Sequence, residues 1–133
     1  MKNYAGSWPP RATTWCSSRA ALAALAASLA NVAGVRAEVI AADLSTEAGC
    51  ARVAARLDVG GPADTEKPDV RPVDLLVNNA GFGLGSAFLD NSLENEMNGL
   101  NVMVRAVMTL AHHAGISMRS RGRGAILNVG SVA

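Results

Sequence analysis

The chain has 133 residues, half of them hydrophobic, which is enough for one domain with a real core, so a single α/β or α domain is the default reading. Its formal charge is only +1, and the basic residues are scattered except in "RSRGRG" at residues 119 to 124, so nothing marks nucleic acid as a partner. Two cysteines, Cys16 and Cys50, have neither CxxC spacing nor partners enough for a disulfide scaffold; plain thiols in a reducing compartment, and so a cytoplasmic protein, are expected.

Residues 1 to 18, "MKNYAGSWPPRATTWCSS", carry neither helical nor strand periodicity and are expected to be irregular. From Arg19 the pattern becomes regular, with a helix to about Ala30. The stretch "ALAALAASLANVAGVRA" also reads as the apolar core of a signal peptide. Leu22, Leu25 and Leu29 at i, i+3 and i+7, behind a long mostly polar start, favour an amphipathic helix instead. The run is too short and too rich in alanine to span a bilayer, and no membrane partner is expected.

In "VRAEVIAADLS" the residues Val35, Ala37, Val39 and Ala41 alternate as a strand that ends at Asp43. Ser45 or Thr46 caps the next helix, in which Cys50, Val53 and Leu57 share a face. Residues 58 to 72 form a loop on Gly, Pro and charge content, and "VDLLVNN" reads as a fully buried strand. A Gly-rich connection follows over residues 80 to 91. Ser92 then opens a long helix with Met97, Leu100, Val104, Val107 and Ala111 on one stripe. Arg119, Arg121 and Arg123 among glycines mark its end, where cations suit the carbonyl end of the helix dipole. "AILNVGS" is a last buried strand. Strands alternating with helices imply right-handed crossovers and a parallel sheet covered on both faces.

The motifs "AADLS", "LLVNNAG" and "GAILNVGS", in this order and spacing at strand ends, resemble the middle section of the short-chain dehydrogenase/reductase family over residues 19 to 133. The resemblance implies a partial Rossmann-like α/β fold, a doubly wound parallel sheet of three strands with flanking helices. It also implies an oxidoreductase that moves a hydride between NADP or NAD and a small alcohol or carbonyl substrate. Asp43 then resembles the carboxylate that accepts from the adenine amine, with Leu44 packing beside it. Asn79, Ala80 and Gly81 resemble the small turn that passes close to the adenosine ribose. The doubled amide at Asn78 and Asn79 is expected to tie neighbouring strand ends by side-chain hydrogen bonds. Ser131 resembles the catalytic serine that donates to the substrate carbonyl. Arg19 lies where the family often places a basic residue after its second strand, which leans toward the 2′-phosphate of NADP.

The family's assisting asparagine has two candidate positions. Asn101 in "GLNV" matches locally, whereas counting back from "AILN" places the position at Met103, which would leave this chain without the amide. Plainer readings stand beside the others: Asp43 as a strand terminator, "GFGLG" at residues 81 to 85 as a substrate-side loop that no helix follows at the spacing of a phosphate loop, and His112 and His113 as surface or edge packing. Adjacent helical residues are about 100° apart, so the two imidazoles do not chelate one metal well.

The family's proton donor is a tyrosine whose acidity is raised by a lysine four residues on. The only tyrosine here is Tyr4, and the only lysines are Lys2 and Lys67, so no Tyr-x-x-x-Lys is present. Nothing in residues 1 to 18 offers the Gly-rich turn that sets the pyrophosphate on a helix N-terminus. The expectation is a chain with weak or absent cofactor binding and no turnover. Read two bases out of frame, the codons allowed from Trp8 onward permit a peptide resembling the family's first helix end and second strand, so a frame-altered start is expected. Three strands with two missing between the first and second would leave a gap on the order of 14 Å, against about 5 Å for a bonded pair. That predicts a marginal, aggregation-prone monomer unless residues 1 to 18 or a second chain fill the gap, while the resemblance implies that copies or relatives pair through the helix starting near Ser92. The rivals are a non-catalytic interaction module and an unstable gene product.

Overall fold

The computed structural model of the chain describes residues 11–14, 23–24, 26–28, 31, 36–59 and 70–130. Arg19 and Ser131 lie outside the described residues, as do Tyr4, Cys16 and Lys67. The chain divides into two compact units, Met1–Ala41 and Ala42–Ala133.

In the first unit, strand β1 (Arg11–Thr14) pairs in parallel with β2 (Arg36–Val39), Arg11 opposite Arg36 and Thr14 opposite Val39. Parallel neighbours require a long crossover. Residues 23, 24, 26–28 and 31 are helical and lie in that crossover, within the run read as a helix. β1 is a strand beyond the three expected, and it falls in the stretch expected to be irregular. Four residues, "RATT", are too few to display a period of two, so the strand is defined by its partner rather than by its own pattern. β2 ends at Val39, four residues before Asp43.

The second unit holds helix α1 (Glu47–Leu57), strand β3 (Leu75–Asn78), a 3-10 turn at Phe88–Asp90, helix α2 (Leu93–Leu100), a π-helical segment (Asn101–Ala106), helix α3 (Val107–Ser120) and strand β4 (Ala125–Asn128). β3 and β4 pair in parallel, Leu75 opposite Ala125 and Asn78 opposite Asn128. Two of the helix starts have a chemical cause. Thr46 caps α1 by accepting from the Gly49 amide at 3.0 Å, and Ser92 caps α2 by accepting from the Asn95 amide at 3.2 Å. α3 ends in a Schellman turn: Gly122 has φ +67°, its amide reaches the Arg119 carbonyl, and the Arg123 amide reaches the Met118 carbonyl.

The core lies between α1, α3 and one face of β3. Cys50, Val53, Ala54 and Leu57 pack toward Val102, Ala106, Leu110, Ala114 and Met118, with Leu76 beneath. Val53, Leu57 and Leu76 are fully buried, each contributing about 1.5–3 kcal/mol relative to exposure. The α/β class with parallel pairing and flanking helices is therefore as expected.

The burial of three elements is not. β3 buries only Leu76 and Asn78, while Leu75 and Val77 are 47% and 40% exposed. All of β4 is exposed. α3 packs on one face of this pair, and on the other face Leu75, Val77 and Leu127 stay about half exposed. The stripe Met97, Leu100 and Val104 is exposed as well, because the packed stripe is Val102, Ala106, Leu110 and Ala114.

Candidate functional site

Asp43 sits in the turn between β2 and α1, and its carboxylate is exposed. Oδ1 accepts from the Ser45 amide at 2.9 Å and the Ser45 hydroxyl at 2.7 Å. Of the two expected caps, Thr46 holds the helix and Ser45 holds the carboxylate. The Ser45 hydroxyl, then the Ser45 amide, pull the Asp43 carboxyl below its ordinary value, against a small opposing push from burial. Oδ2 takes no hydrogen bond from a described residue, so an ionised acceptor oxygen faces outward. Because β2 ends at Val39, Asp43 does not terminate the strand; its Oδ1 serves the turn into α1.

The backbone of this turn is held closely. The Asp43 carbonyl accepts from the Thr46 hydroxyl at 2.9 Å and the Thr46 amide at 3.2 Å. Cys50 Sγ donates to the Leu44 carbonyl at 3.3 Å, and Arg105 Nη2 donates to the Ser45 carbonyl at 2.6 Å. Gly49 lies against the same backbone: a Cβ there would sit 1.8 Å from the Asp43 oxygen. Sequence reading missed both Gly49 and Arg105, since neither a helical glycine nor a lone arginine announces a contact distant in sequence. Cys50 is a buried free thiol, as expected, and burial pushes its pKa up.

At the end of β3, Asn78 is buried and its Nδ2 donates to Asn128 Oδ1 at 2.8 Å. This is the tie between strand ends that the doubled amide implied, and it uses Asn78; Asn79 is exposed, followed by exposed Ala80 and Gly81. Both partners close their strands, in "LLVN" and "AILN", which is the sequence signal that pairs them. The turn at Gly81 faces the π segment: a Cβ on Gly81 would lie 3.8 Å from Met103 Cγ and 3.9 Å from its Sδ. Met103 also approaches Gly99, together with Leu84. Both candidate positions for an assisting amide fall inside the π segment, and Met103 is the one brought to Gly81. Asn101 is half-buried.

An exposed carboxylate oxygen and a turn of small, exposed residues suit the adenosine half of a dinucleotide: the first accepts a hydrogen bond, and the second admits close approach of a sugar. The described residues show no Gly-rich turn at a helix N-terminus for the pyrophosphate, since Thr46 and Ser92 cap the starts of α1 and α2 with their own side chains. A separate cleft of about 320 Å³ between α1 and α3 is lined by Glu47, Cys50, Asp58, Arg105 and His113. His113 Nδ1 lies 2.8 Å from Asp58 Oδ1 there, which accounts for one of the two imidazoles as edge packing. His112 is exposed. Among the described residues no cluster of His, Cys, Asp or Glu is arranged to hold a metal, and no helix is long and apolar enough to cross a membrane.

Comparison with known proteins adds the following. Residues 11–133 match the family model for short chain dehydrogenase. Over 79 residues the chain is 40% identical to carbonyl reductase [NADPH] 2 of Sus scrofa, covering 57% of this chain and 32% of the relative. A short-chain dehydrogenase from Sphingobium yanoikuyae, solved in complex with NADPH, superposes with a TM-score of 0.78 at 30% identity, over 92% of this chain and 44% of that one. The bulky-bulky ketone specific alcohol dehydrogenase from Comamonas testosteroni superposes equally well, at 26% identity, over 92% of this chain and 45% of that one. The chain thus spans less than half the length of each of these proteins.

Proposed function

The chain belongs to the short-chain dehydrogenase family, and on that premise we propose that it carries the adenosine half of an NADP or NAD site from an oxidoreductase acting on alcohol or carbonyl groups, without turnover as an isolated polypeptide. Asp43 Oδ2 accepts from the adenine amine, Leu44 packs beside the base, and Asn79, Ala80 and Gly81 pass along the ribose. Ser131 orients a substrate carbonyl by donating to its oxygen. The assisting amide falls either to Asn101 or, by the count back from β4, to the place of Met103, whose thioether lies against the Gly81 turn. When bound, the dinucleotide supplies the hydride exchanged with the carbonyl carbon. The single observation that carries the reading is the divided carboxylate of Asp43, with Oδ1 taken by Ser45 and Oδ2 presented outward.

The inactivity follows from proton supply. A carbonyl that receives hydride also needs a proton, and a serine orients the oxygen without providing one at neutral pH. Tyr4 is the only phenol, and neither Lys2 nor Lys67 stands four residues after it. Adenosine contacts with no pyrophosphate seat among the described residues support a reading of weak dinucleotide binding. Absorbance in the reduced nicotinamide band, followed with a panel of alcohols and ketones, is expected to show no turnover by the purified chain. Measurable turnover would refute the inactive assignment.

A second reading is favoured by one surface. Leu93, Met97, Leu100, Val104 and Met108 are 48% to 74% exposed and recur every three or four residues from α2 into α3. We propose on this basis that the helix beginning near Ser92 associates with a second copy or with a full-length relative. Size exclusion with and without such a relative tests it, and no co-elution or self-association removes it.

A further inference from the structure

We propose that Arg105 is the positioning residue of the Asp43 turn, holding it from the π segment so that Asp43 Oδ2 is presented to adenine in one place. The proposal rests on the adenosine reading above and adds to it a residue outside both of the turns that meet the ligand.

Three consecutive carbonyls, those of Asp43, Leu44 and Ser45, are each engaged, but not equivalently. The first two accept from Thr46 and Cys50, neighbours in the turn and in the helix that follows it. Such contacts are local and move with α1. The third accepts from Arg105, sixty residues on, at 2.6 Å. Of the contacts made by these three carbonyls, it is the one that reaches beyond α1. It is also charge-assisted, which makes it a stronger bond than the thiol contact beside it.

The origin of the tether gives it a second consequence. Arg105 belongs to the same six-residue π segment as Met103, and Met103 faces Gly81. One irregular stretch of helix therefore touches both turns of the candidate site, the adenine edge through a guanidinium and the ribose edge through a thioether. π segments are rare and concentrate at functional sites, and residues two apart on a helix do not share a face, so Met103 and Arg105 reach two different loops. Gly49 complements the tether from the opposite side, because the Asp43 carbonyl occupies the space a side chain would need. Held at Ser45 and backed by Gly49, the turn has little freedom to carry Oδ2 elsewhere.

Hydrogen exchange and nucleotide titration of the whole chain test this together, using Arg105→Ala and Arg105→Lys with 5′-AMP as the probe. Arg105→Ala is expected to speed exchange at the Ser45 and Thr46 amides at least tenfold while leaving the Ala125 and Val129 amides between β3 and β4 unchanged. It is also expected to weaken 5′-AMP binding at least fivefold, as read from the Leu44 amide shift. Arg105→Lys, which keeps a cationic donor, should restore both to within about twofold. Wild-type exchange at Ser45 and Thr46 in Arg105→Ala overturns the proposal, and so does acceleration spread equally to the β3–β4 amides, the mark of a merely structural role. Undiminished 5′-AMP affinity in Arg105→Ala overturns it as well. If 5′-AMP leaves Leu44 unmoved in the wild-type chain, the adenosine reading fails, and the exchange comparison alone then decides whether Arg105 holds the turn.

Discussion

Asn78 and Asn128 stand directly opposite each other in the β3–β4 register and share a 2.8 Å hydrogen bond, but only Asn78 is buried. Their removal is therefore unequal. Asn128→Ala leaves a buried amide without its partner and is expected to cost about 1–3 kcal/mol. Asn78→Leu leaves its partner in water and fills the pocket with apolar volume, so it should cost less. Urea denaturation of both variants checks the order, and equal losses would contradict it.

Gly49 meets the Asp43 backbone so closely that any side chain displaces it. Alanine gains roughly 0.5–1 kcal/mol of helix preference over glycine inside a helix. A collision with backbone costs about 1–3 kcal/mol or more, so the clash wins. Gly49→Ala is expected to lower the denaturation midpoint, whereas an unchanged or raised midpoint would show that the turn yields.

The Ser45 hydroxyl, and after it the Ser45 amide, hold the Asp43 carboxyl below its ordinary value. The folded chain thus binds this proton less tightly than the unfolded chain. The contribution to stability is complete above the unfolded carboxylate range near about 3.9 and is lost as pH falls through the lower folded value. An NMR titration of Asp43 is expected to give a midpoint below the ordinary range, and Ser45→Ala should raise it. A midpoint unaffected by Ser45→Ala would contradict the assigned cause.

Arg121 folds back from the end of α3, donating to Asp74 Oδ1 and, at 2.8 Å, to the Val73 carbonyl at the entrance to β3. Arg121→Ala is expected to cost about 1–2 kcal/mol, since the pair is partly screened but the carbonyl bond is not replaced. Arg123→Ala, whose more exposed guanidinium is 3.4 Å from the same carboxylate, should cost a few tenths at most. Thermal melting of the two variants separates them.

What the sequence disclosed was what local chemistry and motif order disclose. Thr46 and Ser92 cap helices where their positions before apolar periods say they should. "NNAG" and its flanking motifs named the family before any fold was known. Burial was less legible, because Leu75, Val77 and Leu127 look like core residues in any strand, and only the tertiary arrangement decides which face α3 covers. Strand β1 was hidden because four residues hold no period. The choice between Asn101 and Met103 stayed open in the sequence, because both fall within one irregular segment whose π geometry no residue pattern announced. Gly49 and Arg105 were not legible at all, for their contacts exist only once the turn has folded.

The account turns on whether the Asp43 turn and the Gly81 turn form one adenosine site. Backbone amide shifts recorded while NADPH is added to the isolated chain test this most directly. Graded, weakly saturating shifts at Leu44, Ala80 and Gly81 are predicted, with Ala125 and Val129 unmoved. Shifts gathered instead along the cleft between α1 and α3, or none at Leu44 and Gly81 at millimolar NADPH, would contradict it.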